Sequence, residues 1–285
     1  MTPAGPAQAA LNGRVALVTG AGRGLGASHA AALAAAGAAV VVNDPSVSVD
    51  GTARDAADVA CAVVETISAA GGIAVVDRSD VSSFTGAERA VACALHHFGR
   101  LDIVVNNAGI MSASAVTELS QEEFQRSLAT NVTGSVGVAR AAFASMRDRG
   151  YGRIVNTLSE AALAVGYHAG TAYAASKAAL WGATMALADE GAPWGITVNA
   201  ISPGARTRMS RDHLERVGST VDLDPAHVSK VVLALVDESA GDITGRVVHA
   251  AGGAIREYRL QRHIDTPLVP RLEAAQMSTA DRKVQ

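Results

Sequence analysis

Tyr173 and Lys177 stand four residues apart in Tyr-Ala-Ala-Ser-Lys, within an Ala-rich segment of helical composition, so both side chains project from one helix face. An ammonium close to a phenol favours the phenolate and draws the phenol below its reference pKa of about 10. Such a pair is a general acid toward a carbonyl oxygen and a general base toward an alcohol. The same spacing also arises on any helix as a packed tyrosine beside a solvated lysine. The pair therefore gains meaning only from what accompanies it.

A second constellation is the run Thr19-Gly20-Ala21-Gly22-Arg23-Gly24-Leu25-Gly26, between a Val-rich run and an Ala-rich helix. Glycines at a strand-to-helix junction let the backbone turn sharply and bring N–H groups of the helix N-terminus against a pyrophosphate. The spacing departs from Gly-x-Gly-x-x-Gly, because Leu25 stands where that form has its third glycine. A tight turn with no ligand would use the same glycines. Asp44 shifts the balance: a carboxylate about 20 residues after such a turn is where a ribose 2′-hydroxyl is bound, and its charge repels a 2′-phosphate. NAD(H) is thus expected over NADP(H), although Arg23 inside the turn argues the other way as a phosphate partner. A methyltransferase also places an acidic residue after a Gly-rich turn, but makes no use of Tyr173 and Lys177.

The elements that must position these groups follow from the hydrophobic pattern. Val15–Thr19, Val40–Asn43, Ile73–Val76, Ile103–Asn106, Ile154–Thr157, Thr197–Ile201 and Val247–Ala250 are short Val/Ile-rich runs alternating with helical segments. Runs apolar on every residue fit strands covered on both faces, hence an α/β fold with a doubly wound, mostly parallel seven-stranded sheet and helices on both faces. Ser120 with Glu123 reads as a capping box, and Asp224 before Pro225 as an N-cap with proline at the first helical position. No repeat or linker divides the chain, so a single domain over residues 13–254 is expected, after a disordered lead-in Met1–Asn12 and before a C-terminal arm or tail, 255–285.

Taken together and in order, these features resemble the short-chain dehydrogenase/reductase family in its single-domain Tyr/Lys branch, over roughly Arg14 to Gly253. The resemblance is carried by Thr19–Gly26, Asp44, Asp80, Asn106-Asn107-Ala108-Gly109, Asn131, Ser159, Tyr173 with Lys177, and Pro203-Gly204. It implies a Rossmann-type fold and an NAD(H)-dependent oxidoreductase interconverting a secondary alcohol and a ketone. By the same resemblance Tyr173 is the proton donor and acceptor, and Lys177 lowers its pKa while holding the nicotinamide ribose. Ser159 orients the carbonyl, and Asn131 holds a water that links the lysine to solvent. Gly20, Arg23, Gly24, Leu25 and Gly26 would meet the pyrophosphate side of the cofactor. Asp80 with Val81 would meet the adenine, and Asn107, Ala108 and Gly109 the ribose. Pro203, Gly204 and Thr207 would lie by the nicotinamide. A homotetramer is also implied, with the helices carrying Asn131 and Tyr173 at its interface.

Two departures from the family pattern bear on the site. Ser159 precedes Tyr173 by one residue more than is usual, which puts Glu160 at the customary offset. Ser159 is still assigned, because it ends a strand in the family manner and the loop Ala162–Gly170 can absorb the extra residue. A carboxylate at 160 donates to a carbonyl only when protonated. Thr207 likewise falls one place early after Pro203-Gly204.

Other features are blander. His96 and His97 precede Gly99 at a helix end, where capping explains them better than metal ligation, and no metal is expected. His168, in the loop before Tyr173, is a candidate substrate contact; Trp181 and Trp194 read as packing residues. Cys61 and Cys93 are too few for a disulfide framework and suit a reducing compartment. The net charge of -3, without a basic run, gives no footprint for nucleic acid. The most apolar stretch, Leu25–Val42, contains His29 and Gly37 and reads as helix then strand, not as a membrane span. With no signal sequence recognisable, a cytoplasmic location is expected.

Residues Arg206–Leu223 are expected to form a substrate lid, with Met209, His213 and Leu214 but no cluster that names a ligand. Val40–Asp44 and Ser202–Met209 are loosely similar to the hydroxyacyl-CoA/hydroxysteroid dehydrogenase part of multifunctional β-oxidation enzymes. That leaves acyl-CoA, steroid-like and secondary-metabolite substrates all open. A dinucleotide sensor that has lost its chemistry, and an epimerase or dehydratase passing through a transient ketone, are the alternatives.

Overall fold

The computed structural model describes residues 10–53, 57–164, 166–211, 214–215 and 220–260. Strands β1 (Val15–Thr19), β2 (Ala39–Asn43), β3 (Ile73–Asp77), β4 (Ile103–Asn106), β5 (Gly152–Thr157), β6 (Ile196–Gly204) and β7 (Val247–Ala251) form a parallel sheet in the order 3-2-1-4-5-6-7. Helices α1 (Gly24–Ala35), α2 (Val59–Ala69), α3 (Phe84–Phe98), α4 (Gln121–Leu128), α5 (Gly134–Arg149), α6 (Thr171–Gly191) and α7 (Pro225–Val236) connect them. This is the doubly wound α/β sheet that the every-residue apolar runs require. β1 and β4 are buried at every position, and each of the two faces has its own hydrophobic cluster, one beneath α1 and α7 and one beneath α3 and α5.

The sheet has eight strands, not seven. β8 (Ala254–Tyr258) pairs antiparallel with β7, in register from Ala251↔Ala254 to Val247↔Tyr258. The hairpin is made by Gly252 and Gly253, whose φ values of 52° and 81° are those of a two-residue primed turn that matches strand twist. That Gly-Gly was the available signal, but the exposed, mixed composition of 254–258 hid the strand behind it. The lead-in also ends earlier than expected. Leu11 is buried, and its N–H donates to the Ala36 carbonyl at 2.9 Å, because its side chain fills the core beside α1. Residues 1–9 and 261–285 lie outside the described residues.

The local signals behave as their chemistry dictates. Asp224 accepts from Ala226 N–H at 2.7 Å ahead of Pro225. Gly99 closes α3 in the left-handed region, with His96 and His97 in the last turn. Ser120 caps α4 by accepting from Glu123 N–H at 3.1 Å. The Glu123 carboxylate, however, accepts from Ser112 and Ser114 instead of returning to the cap, so only half of a capping box forms.

Between α1 and α7 the sequence places one titratable group in the core. His29 is fully buried, its Nδ1 lies 2.8 Å from Ser229 Oγ, and Nε2 has no partner among the described residues. Burial pushes its pKa down to about 4 from the ordinary 6.5 of a histidine. The unfolded chain therefore takes up this proton first, and stability falls as pH drops from 6.5 toward 4. The contribution is on the order of 3 kcal/mol at the acid end of that window. Urea denaturation of wild type and His29→Gln across this range should show a weaker pH dependence in the variant. Parallel midpoints would mean that His29 is not the group being titrated.

Candidate active site

The site lies at the C-terminal ends of the strands, where the chain order reverses between β1 and β4 and their following loops part to opposite faces. The two loops nearly touch there. A Cβ on Gly20 would come 2.8 Å from Ala108 Cα, and one on Gly26 would come 2.2 Å from the Gly20 carbonyl and 2.5 Å from Asn107 Nδ2. Asn107 locks the approach: Nδ2 donates to the carbonyls of Thr19 and Gly20 at 3.0 and 2.9 Å, and its N–H donates to Thr19 Oγ1 at 3.1 Å.

The glycine turn is equally close to β2. Gly22 N–H donates to Asp44 Oδ2 at 2.9 Å and Ser46 N–H to Oδ1 at 2.7 Å, while a Cβ on Gly22 would stand 2.1 Å from the Val59 side chain. The Arg23 side chain at the N-cap makes no capping bond to α1, and Gly24 and Leu25 of its first turn line the cleft, where their N–H groups suit an anionic ligand. Arg23, Gly24, Leu25, Asp44, Asp80 and Val81 line that same cleft, as do Gly20 and Asn107–Gly109. A donor-rich turn that admits no side chain, with a carboxylate beyond it, fits a dinucleotide.

On the far side of the switch point, α4 and α5 run into one another through a wide π-helical turn, Ala129–Thr133. The extra residue drives Asn131 into the interior, and Ser135 Oγ–H donates to the Asn131 carbonyl at 3.0 Å. The Asn131 amide clamps the loop after β4, accepting from Ile110 N–H at 2.9 Å and donating to Ile110 O at 3.1 Å and Ser176 Oγ at 2.8 Å. A Cβ on Gly109 would sit 3.2 Å from Asn131 Oδ1 and 3.4 Å from Lys177 Nζ, so glycine is what lets the amide and the ammonium converge.

Tyr173 and Lys177 are both buried, on the inner face of α6. Lys177 Nζ donates to the Thr157 carbonyl at 2.7 Å, at the end of β5, and stands 5.6 Å from the Tyr173 ring centre. Ser159 stands beside the Tyr173 phenol, and its Oγ accepts from Ala161 N–H at 3.2 Å. Here the electrostatics differ from the expectation of a lowered phenol. Burial pushes Tyr173 up, opposed by the neighbouring Ser159 hydroxyl, and burial brings Lys177 down to about 8. Both groups pay the same desolvation, and the ammonium is spent on the Thr157 carbonyl, too far from the phenol to overcome it.

Pro203, Gly204 and Thr207 complete the rim. Thr207 N–H donates to Ser210 Oγ at 2.9 Å, and its methyl group faces Gly24 across the cleft. Met209 and Leu214 also line the cleft, whereas His213 lies outside the described residues. The cleft as a whole holds about 820 Å³. Every residue assigned a catalytic or cofactor-binding role from the sequence lines it except Gly26 and Asn131. His168, with φ of 49°, is exposed on its wall. Not foreseen were Thr157, Ile110 and Ser176 as partners of Lys177 and Asn131, and a cluster around Glu160. The first three act through a backbone group or a generic hydroxyl, which no residue type announces. Among the described residues no group of three His, Cys, Asp or Glu side chains could hold a metal, and no helix is long and apolar enough to cross a membrane.

Comparison with known proteins agrees with this geometry. The model of the short chain dehydrogenase family matches residues 14–217. A peroxisomal hydratase-dehydrogenase-epimerase of Saccharomyces cerevisiae is 36% identical over 259 residues, which are 90% of this chain but only 28% of that protein. A hydroxyacyl-CoA dehydrogenase of Mycobacterium tuberculosis is 37% identical over 83% of this chain and 77% of its own length. The crystal structure of a short chain dehydrogenase from Mycobacterium avium superposes with a TM-score of 0.79 at 38% identity, covering 93% of this chain and 95% of the other. The chain belongs to the short-chain dehydrogenase/reductase family. It is an oxidoreductase of the kind that acts on alcohol and keto groups with a nicotinamide dinucleotide.

Gly26→Ala tests the closeness of the two loops. The added methyl group meets backbone atoms that cannot swing aside, so the turn must open. NADH affinity should fall at least tenfold by fluorescence titration, with a Tm several degrees lower. Unchanged affinity would show that the turn does not bind the cofactor.

Proposed function

We propose that this protein interconverts a secondary alcohol and a ketone using NAD(H), with Tyr173 as the acid/base. The observation that carries the reading is the convergence of Ser159, Tyr173 and Lys177 on one cleft that also takes in the glycine turn and Asp44. When bound, the nicotinamide supplies or accepts the hydride.

In the reducing direction the carbonyl oxygen would accept hydrogen bonds from Ser159 Oγ–H and the Tyr173 phenol. As hydride adds to carbon, the C=O electron pair moves onto oxygen, which takes the Tyr173 proton and leaves a phenolate. Because burial raises Tyr173, its proton is in place through neutral pH. Lys177, protonated below about 8, stands 5.6 Å from the ring of the phenolate that results. In oxidation the same groups run in reverse, the phenolate removing the alcohol proton. Asn131 would serve as a positioning residue, fixing Ile110 and Ser176 around the lysine.

Asp44 supports NAD(H). Its oxygens already accept from Gly22 and Ser46 N–H groups, so the carboxylate is fixed at the edge of the glycine turn, where a 2′-phosphate would meet its charge. Arg23 lies in the same turn and pulls toward phosphate, so the preference is a balance between the two.

Tyr173→Phe removes only the ionisable oxygen. Ketone reduction should fall by at least a thousandfold while NADH binding stays within a few-fold; loss of NADH binding instead would make the tyrosine structural. Asp44→Ala should weaken NADH and bring the NADH/NADPH affinity ratio toward one, read by fluorescence titration with each. An unaltered ratio would remove Asp44 from cofactor selection.

A further inference from the structure

The residue after Ser159 is a carboxylate on the same cleft. Glu160 opens a short helical turn, Glu160–Ala162, and its carboxylate sits on the cleft wall among residues that the acid/base chemistry does not use. Tyr167 O–H donates to Oε2 at 2.7 Å, and Tyr258 O–H donates to Oε1. His249, on β7, brings Nδ1 to 3.5 Å from Oε1. That ring is 6% exposed, its Nδ1 has no hydrogen-bond partner among the described residues, and it lines the cleft together with Glu160 and Tyr167. Tyr258 comes from β8, packs edge-on against His249 with ring centres 6.2 Å apart, and braces the carboxylate from behind.

We infer that Glu160, braced by Tyr167, Tyr258 and His249, determines specificity by accepting a second hydroxyl group of the substrate and rejecting a carboxylate at that end. The inference rests on the alcohol/ketone reading for the reacting carbon beside Ser159. Its own basis is the charge and hydrogen-bonding capacity of the cluster. Burial alone would raise Glu160, but the Tyr258 and Tyr167 hydrogen bonds, with His249 and Arg256 nearby, hold it below the usual value, so it is ionised at neutral pH. Burial and the contact with Glu160 push Tyr167 and Tyr258 up to about 12, so both phenols stay protonated and donate inward.

A carboxylate has about four acceptor positions, of which the two phenols take one on each oxygen. What the cluster offers the cleft is therefore acceptors backed by a negative charge. A neutral O–H makes a charge-assisted hydrogen bond there, whereas an anionic group meets the repulsion of a half-buried carboxylate. A purely structural cluster, pinning β8 to the loop before α6, would affect all substrates alike.

Three probes of one skeleton separate these possibilities: 2-pentanone, 5-hydroxy-2-pentanone and levulinate. Their affinity for the enzyme–NADH complex, read by NADH fluorescence, tests the acidic wall, and their turnover separately tests the oxidoreductase reading. Wild type should bind the hydroxyketone tightest and levulinate at least tenfold more weakly. Glu160→Gln, which keeps the shape and removes the charge, should shrink that gap to about threefold or less, with NADH affinity unchanged. Tyr167→Phe, which keeps the ring and the charge, should weaken the hydroxyketone a few-fold without relieving levulinate. Equal binding of the three probes to wild type, a gap that survives Glu160→Gln, or no binding of any probe would overturn the inference. Discrimination in binding without turnover would uphold it and count against the redox reading instead.

Discussion

Two loops that belong to opposite faces of the sheet approach so closely at the β1/β4 switch point that there is no room for a methyl group between Gly20 and Ala108. The contact is set by backbone, and Asn107 fastens it with hydrogen bonds to both Thr19 and Gly20. The positions of the cofactor turn, of the loop carrying Gly109 and Ile110, and hence of Asn131 and Lys177 all follow from it. A doubly wound sheet produces such a crevice wherever its chain order reverses, and the glycines let this one close to atomic contact.

The chemical end is governed by desolvation. Placing a phenol and an ammonium together in the interior penalises both charged forms, so Tyr173 rises and Lys177 falls. The chain compensates with fixed polar groups: the Thr157 carbonyl for the ammonium, and the Ser159 hydroxyl for the phenol. The same logic explains why Glu160, one residue from Ser159, remains charged. It is given two phenolic donors, where Tyr173 is given one hydroxyl and no nearby cation within hydrogen-bonding reach.

Much of this was legible because it depends on local rules. Strands covered on both faces must be apolar at every position, so β1 and β4 could be bounded to the residue. Asp224–Pro225 and the Gly99 stop act within a single turn of chain, and Tyr173 and Lys177 share a face by helical geometry alone. β8 was missed because an exposed edge strand has no buried face to write a pattern, and its Gly-Gly turn was read as the end of the fold. Leu11 was missed because one buried side chain carries no periodicity.

Residue type and order alone marked out the seven parallel strands and the glycine turn, and picked Asp44, Asn131, Ser159, Tyr173 and Lys177 as the candidates for the site, since each is a short-range pattern or an ordered series of them. Tertiary structure alone decided how those groups are charged and paired. It put Lys177 on the Thr157 carbonyl, set Ser159 beside the Tyr173 phenol, and gathered Tyr167, His249 and Tyr258 around Glu160. The physical reason is that desolvation and long-range hydrogen bonds depend on what surrounds a group in space. A linear sequence records only what lies next to it along the chain.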